Sequence, residues 1–316
     1  MEHISVLLHE TVDGLAVKEN GLYIDGTLGR GGHSLLVAEQ LKDGHLFAFD
    51  KDQKAIEESK VRLEDYLNHI TFIHDDFKNM KKDLEEKGIT EVDGIMMDLG
   101  VSSPQFDDAS RGFSYRFDAK LDMRMDQSQE LTAYDVVNKY DFHDLMRILY
   151  QYGEEKFAKQ IARSIERNRL IKPIETTFEL VDVIKQALPM KVLSKKGHPA
   201  KQTFQAIRLE VNGELESLKQ GLRDAASMLK VGGRCSIITF HSLEDRIVKE
   251  LFNELSTVEQ IDKRIPLLPE QMETPEFKLI NKKPILASDD ELAINNRSHS
   301  AKLRVLERVK NNGKDC

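Results

Sequence analysis

Gly21-Leu-Tyr-Ile-Asp25-Gly-Thr-Leu-Gly-Arg-Gly-Gly-His-Ser34 runs from a short apolar strand through a glycine loop into the first turn of a helix. Outward from it the same rhythm repeats. A helix spans Ser34 to Leu41, and His45-Leu-Phe-Ala-Phe-Asp50 reads as a second strand. Gln53 to Leu67 places apolar residues near a helical period. Ile70-Thr-Phe-Ile73 and Asp93-Gly-Ile-Met-Met-Asp98 are the third and fourth strands. Strands alternating with helices predict parallel pairing and a doubly wound α/β sheet. Strands covered on both faces read as short apolar runs, as these do.

After Asp98 the rhythm breaks. Residues 101–130 are polar and irregular, and 131–190 offer helices only. Pro173 follows a helix that ends near Arg169, and Thr176 or Thr177 can cap the next one, Phe178 to Leu188. A helix from about Thr203 to Leu229, a stop at Lys230-Val-Gly-Gly233, and a strand from Arg234 to Phe240 restore the pattern. Lys302-Leu-Arg-Val-Leu-Glu-Arg-Val309 alternates as a terminal strand. The expected organisation is a discontinuous α/β domain, 1–108 and 209–316, with an all-α insert at 109–208.

The 316 residues carry 46 Lys/Arg against 54 Asp/Glu, a net −8 that argues against a generic polyanion binder. The charge is unevenly spread. Between Arg147 and Arg208 there are 13 Lys/Arg and 6 Asp/Glu, a local +7 that leaves −15 for the rest. A cationic helical insert on an acidic body suits a polyanionic partner; solvated helix faces would give the same count. Two cysteines, Cys235 and Cys316, make no disulfide framework and no zinc spacing, so no metal is expected and a reducing compartment is. Neither a signal peptide nor a membrane-length apolar run is visible, which predicts a cytoplasmic protein with no membrane partner.

The glycine loop lies where α/β sheets bind ligands, outside the carboxyl ends of the strands. Glycines admit a ligand to the backbone, and the following helix start offers free N–H donors. Gly29-Arg-Gly31-Gly32-His33-Ser34 has serine where a dinucleotide fingerprint has its third glycine. Asp50, about 20 residues on at the end of the second strand, can accept from both hydroxyls of a ribose. Asp76 and Phe77, after the third strand, could meet an adenine edge and face. Each carboxylate could equally cap a helix; their recurrence at successive strand ends favours an adenosine ligand.

The fourth strand leads into Asp98-Leu-Gly-Val-Ser-Ser-Pro-Gln-Phe106. Methyl transfer from S-adenosylmethionine needs an aligned acceptor and relief of its proton. An exocyclic base amine is a poor nucleophile, and acceptors that hydrogen-bond its hydrogens free its lone pair. Asp98, Ser103 and the carbonyl near Pro104 offer such acceptors, and Phe106 a stacking face. Ser103-Pro104-Gln105-Phe106 matches part of the Ser/Asp-Pro-Pro-aromatic motif of amino-methyltransferases, and it would also serve as a plain Ser-Pro turn.

With Arg111-Gly-Phe-Ser114, Leu121-Asp-Met-Arg-Met-Asp126, Tyr152-Gly-Glu-Glu-Lys156, Thr203-Phe-Gln-Ala-Ile-Arg208 and Phe240-His-Ser-Leu-Glu-Asp-Arg246, these runs resemble the bacterial small-subunit ribosomal RNA cytosine-N4-methyltransferase family, the RsmH or MraW family. The resemblance extends from His3 to about Arg308, with Asn295-Asn-Arg-Ser-His-Ser-Ala-Lys302 the loosest stretch. It implies a Rossmann-like class I methyltransferase sheet with a helical substrate-recognition insert. It also implies S-adenosyl-L-methionine as donor and a cytidine of 16S rRNA, in the decoding centre of the small ribosomal subunit, as acceptor. Its donor-binding positions fall on Gly31, Gly32, His33, Asp50, Phe77, Asp98 and Gln105.

Other residues admit two readings. Ser242 and Asp245 have capping-box spacing. His241, leaving a strand, could face the acceptor base. Arg124 lies between Asp122 and Asp126, either in a lid over the site or in an ion pair. Lys195, Lys196 and His198 form a basic loop that contacts RNA or is merely solvated. Arg297, Lys302 and Arg304 could bind phosphate or decorate a strand. Two further functions remain open at this level: a nicotinamide-dependent oxidoreductase, and an RNA-binding assembly factor without turnover. The oligomeric state is open as well, a homodimer included.

Overall fold

The computed structural model describes residues 4–100, 106, 108–258 and 274–311. It divides into two compact units, Met1–Gly100 with Glu216–Cys316, and Val101–Leu215.

The first unit is built on seven strands: β1 (Leu22–Asp25), β2 (His45–Asp50), β3 (Ile70–His74), β4 (Val92–Asp98), β5 (Leu229–Thr239), β6 (Phe277–Leu279) and β7 (Lys302–Arg308). Their order is β3-β2-β1-β4-β5-β7-β6. β1 to β5 pair in parallel, and β7 runs antiparallel between β5 and β6. This is the expected Rossmann-like sheet. A dinucleotide-binding sheet would continue 4-5-6 in parallel; here a reversed strand takes the place beside β5. The order turns back between β1 and β4, so their carboxyl ends flank the crevice where such sheets take ligands.

Alternation along the strands divides the core between two faces. Ile24, Phe47, Phe49, Ile95 and Met97 pack with Met80, Leu84, Leu218, Leu222, Val248 and Phe252. Tyr23, Leu46, Ala48 and Met96 pack on the other face with Val12, Leu15, Val37, Ile56 and Leu63. Each such aliphatic side chain contributes about 1.5–3 kcal/mol through burial. The covering helices include α1 (Leu8–Leu15), α2 (Gly32–Ala38), α3 (Gln53–Arg62) and α4 (Met80–Glu85).

The second unit contains α5 (Ala133–Lys139), α6 (Phe142–Gln151), α7 (Ala158–Arg169), α8 (Thr177–Ala187), α9 (Met190–Leu193) and α10 (Lys201–Asn212). Leu145, Ile148 and Leu149 repeat at helical spacing on α6 and share a core with Ile161, Ile165, Leu180, Ile184, Phe204 and Ile207. Thr132 with Asp135, and Thr176 with Glu179, close capping boxes at the starts of α5 and α8. The side chain of Asn212 binds the carbonyl of Met123 and the N–H of Met125, both at 2.8 Å, fastening the Leu121–Asp126 segment to the end of α10.

Three boundaries differ from the sequence expectation. The helix expected from Thr203 to Leu229 is two, α10 and α11 (Glu214–Met228), because Gly213 takes a left-handed φ of +59° and ends the first. α3 stops at Arg62 and tightens into a 3-10 helix, Glu64–His69. β5 begins at Leu229, five residues before the expected start. Gly232, at φ +81°, lets the strand pass through Lys230–Gly233, with a register shift opposite Val92 and Gly94. β5 is followed by α12 (Ser242–Leu255), and α13 (Asp289–Ile294) precedes β7.

Candidate active site

The glycine loop is pinned at both ends by carboxylates. Asp25, buried at the end of β1, accepts from the N–H of Thr27 at 3.0 Å and from Ser34 Oγ at 2.6 Å. These bonds stabilise its charge, but burial outweighs them and pushes its pKa up to about 6. Gly29, at φ +52°, donates its N–H to Asp50 Oδ2 at 2.8 Å, and its carbonyl accepts from Ser59 Oγ at 2.7 Å. The other oxygen of Asp50 accepts from the N–H of Asp52 at 2.8 Å. Burial pushes Asp50 up to about 6 as well. Both its oxygens thus hold backbone, and each retains a lone pair for a further donor.

Gly31, at φ +70°, and Gly32 bring the backbone into α2. A Cβ on Gly32 would lie 2.0 Å from Ser5 Oγ and 3.2 Å from Ser5 Cβ, so any side chain there forces Ser5 to move. His33 is buried, with Nε2 3.0 Å from the carbonyl of Val6. Gly32→Ala is expected to displace the 5–7 segment and to weaken binding of the adenosine ligand expected at this loop about tenfold, measured by calorimetry.

After β3, Asp76 is buried against Lys51 Nζ at 3.1 Å, Ser217 Oγ at 2.6 Å and the N–H of Lys78 at 3.0 Å. Burial alone would raise its pKa; Lys51 and these donors hold it below the usual carboxylate range. Asp76 is therefore occupied within the protein, capping a short 3-10 helix (Phe77–Asn79). The ring of Phe77 lies so close to Gly221 that a Cβ there would stand 2.5 Å from Cδ2.

Asp98 ends β4. Its N–H donates to Thr27 Oγ1 at 2.6 Å, tying it to the glycine loop. Oδ1 is enclosed and has no hydrogen-bond partner among the described residues. Burial, then the neighbouring charge of Asp25, pushes its pKa up to about 8; Arg297 opposes this and Glu244 adds to it. An unpartnered carboxylate oxygen costs free energy unless a ligand donor or a positive charge compensates it.

His241 stands two residues beyond the end of β5 and caps α12. Its Nδ1 accepts from the N–H of Glu244 at 3.4 Å, and the Glu244 carboxylate returns to the N–H groups of Phe240 and His241. The capping box is therefore His241 and Glu244, not Ser242 and Asp245: α12 starts at Ser242, which puts the cap one residue earlier. Asp245 instead pairs with both Lys302, at 3.0 Å, and Arg304, at 2.8 Å, so one carboxylate holds two cations and one positive charge remains in excess.

Gly29, Gly31, Gly32, His33, Asp50, Asp76, Phe77, Asp98 and His241 thus gather at the carboxyl edge of one sheet. Ser103, Pro104 and Gln105 lie outside the described residues. Phe106 belongs to the helical unit, exposed, with its ring 6.5 Å from that of Phe113. Arg124 is spent internally: it pairs with Asp122 through Nε and Nη2, at 3.0 and 2.7 Å, and Nη1 bonds the carbonyls of Gln127 and Gln129. It braces its own loop. Lys195 and Lys196 are exposed, and His198 stacks on Tyr115 with centroids 4.1 Å apart and planes 8° from parallel. Sequence reasoning overlooked Asp25, Thr27 and Lys51, and saw Arg297 only as a phosphate ligand or as decoration of a strand. Their side-chain types were visible, but only strand registry brings them to Asp50, Asp76 and Asp98.

Among the described residues no cluster of His, Cys, Asp and Glu could hold a metal ion, and no helix is long and apolar enough to cross a membrane.

The model of the MraW methylase family matches residues 1–309. The chain is 57% identical over 311 residues to a ribosomal RNA small subunit methyltransferase H from Streptococcus dysgalactiae subsp. equisimilis, covering 98% of both chains. Among solved structures, an rRNA methylase from Streptococcus thermophilus aligns with TM-score 0.44 at 12% identity, over 98% of this chain and all of that one. A protein from Streptococcus mutans solved in complex with SAH aligns with TM-score 0.43 at 14% identity, over 97% and 99%.

Proposed function

The chain belongs to the MraW methylase family, and on that premise we propose that it transfers a methyl group from S-adenosyl-L-methionine to the N4 amine of a cytidine in 16S rRNA, at the decoding centre of the small ribosomal subunit. The observation that carries the proposal is the enclosed, unpartnered Oδ1 of Asp98, tied through Thr27 to a glycine loop that Asp50 holds open. That arrangement fits a cationic nucleoside donor: left-handed glycines for close approach, a carboxylate with spare lone pairs for the ribose, and an uncompensated carboxylate near the reaction. Bound there, S-adenosylmethionine supplies a methyl group on an already activated sulfonium.

The protein's part is to orient and to relieve charge. Gly29, Gly31, Gly32, His33, Asp50, Asp76, Phe77 and Gln105 form the donor site, Asp76 acting through Lys51 and the turn that carries Phe77. Asp98 accepts a hydrogen bond from one hydrogen of the acceptor amine, and Ser103 with the carbonyl at Pro104 accepts a hydrogen bond from the other. Phe106 offers a stacking face, and His241 a ring, as contacts for the base. A cytidine must leave its stack to reach such a cleft, so a flipped or single-stranded nucleotide is the substrate. The helical unit, with Lys195, Lys196 and His198 on an exposed loop, binds RNA backbone in the cytoplasm.

The test is donor choice followed by transfer. The chain is expected to bind S-adenosylmethionine and not NAD, and to move labelled methyl into small-subunit but not large-subunit RNA. Preference for NAD, or RNA binding without methyl incorporation, contradicts the proposal. A cationic donor favours the carboxylate form of Asp98, so its affinity is expected to rise with pH and level off above about 8, as calorimetry across that range would show. Replacing both Lys195 and Lys196 by Ala should lower the slope of log affinity for RNA against log salt by roughly 2, with donor affinity unchanged.

A further inference from the structure

The N-terminal segment of the chain forms one wall of the glycine loop. Ser5 fills the space beside Gly32, and the carbonyl of Val6 receives His33. The next residue, Leu7, is fully buried yet left-handed at φ +49°, a conformation a branched side chain holds only when its surroundings impose it. Three bonds do so. The N–H and Oγ1 of Thr11 both donate to the Leu7 carbonyl, at 2.9 and 2.7 Å. The N–H of Leu7 donates to Glu291 Oε1 at 3.0 Å, across 284 residues of sequence.

The same Oε1 of Glu291 also accepts from Ser298 Oγ, which is buried. Beside it, Asn295 donates from Nδ2 to the carbonyl of Ile4 at 3.1 Å and accepts from the N–H of Arg297 at 3.3 Å. Arg297 is the cation whose charge acts on Asp98. A single carboxylate oxygen on α13 therefore joins the wall of the glycine loop to the loop that carries Arg297.

We infer that Glu291 is a positioning residue for methyl transfer, holding the Ser5–Leu7 wall and the Arg297 loop in one arrangement around the donor. The inference rests on the reading of this cleft as a methyl-donor site. Loss of the Glu291 carboxylate frees Leu7 from its strained conformation, so Val6 leaves His33 and the loop wall slackens. It also frees Ser298, and Arg297 drifts from Asp98. The groups that act on Asp98 are Asp25 on β1, Glu244 on α12 and Arg297; with the last displaced, the two acids remain and the carboxyl holds its proton to higher pH.

The test compares Glu291→Ala and Glu291→Gln with the unaltered chain by calorimetric binding of S-adenosylmethionine from about pH 6 to 9. Glu291→Ala should weaken binding about tenfold at the high-pH plateau and move the pH at which affinity levels off upward. Glu291→Gln keeps an oxygen able to accept from both Leu7 and Ser298, and should recover most of both effects. Ser298→Ala removes only the arm toward Arg297, so it should move the pH of levelling with little change in plateau affinity; it carries the test if Glu291→Ala does not fold. A purely structural residue would lower thermal stability and leave both binding quantities in place; that result, or failure of Gln to recover them, overturns the inference. Absence of binding by the unaltered chain would instead overturn the donor-site reading.

Discussion

Asp98→Asn is expected to lower the rate of methyl transfer by about 10³-fold, within the range that a positioned acceptor of a proton or hydrogen bond contributes. The substitution keeps the size of the side chain and its place at the end of β4, where the backbone N–H remains bonded to Thr27. What it removes is the negative charge on an enclosed oxygen without a partner. In the proposed mechanism that charge takes a hydrogen bond from the amine and balances the positive charge that builds on nitrogen as the new bond forms. Single-turnover transfer at saturating donor and RNA isolates this step from binding. The same variant should lose the pH dependence centred near 8, because the group responsible no longer titrates. A rate within a few-fold of the unaltered chain would remove Asp98 from the chemistry.

Asp50→Ala is expected to weaken donor binding by about 10²-fold or more, since each hydrogen bond to a charged group contributes about 1.5–3 kcal/mol. The loss has two sources. Direct acceptance from the ribose disappears, and the N–H groups of Gly29 and Asp52 lose the carboxylate that orders the loop. RNA affinity and its salt dependence should stay unchanged, because the basic residues assigned to RNA belong to the Val101–Leu215 unit. Parallel titrations with S-adenosylmethionine and with a small-subunit RNA fragment check both halves. If RNA affinity falls as far as donor affinity, the division of labour between the two units is wrong.

The first four parallel strands were legible because each is a short apolar run, and three of them, β1, β2 and β4, close on an aspartate. His45–Asp50 stands as expected, and Val92–Asp98 differs by one residue. Their parallel pairing followed from the alternation with helices, and the aspartates marked the cleft, whereas the strand order is seen only in the fold. Less was legible where a single residue overrides a period. Gly213 interrupts a helical pattern that is apolar on both sides of it, and only its left-handed backbone shows that the helix ends there. The cap of α12 escaped for a chemical reason: histidine is not among the usual capping residues, yet Nδ1 of His241 accepts the N–H of Glu244. β6 has three residues, too few for any pattern. The surroundings of the site were the hardest to see. Lys51 and Arg297 gain their meaning from Asp76 and Asp98, which are distant in sequence, and of the two readings of Arg124 the fold shows the ion pair, with Asp122 two residues away.

The most direct test of the account is to incubate the chain and labelled S-adenosylmethionine with small subunits from a strain lacking the endogenous methyltransferase, then digest the RNA and map the labelled nucleoside. The account predicts N4-methylcytidine at a single position of 16S rRNA in the decoding centre. Label on another base, on the ribose, on cytidine C5 or spread over many positions would contradict it.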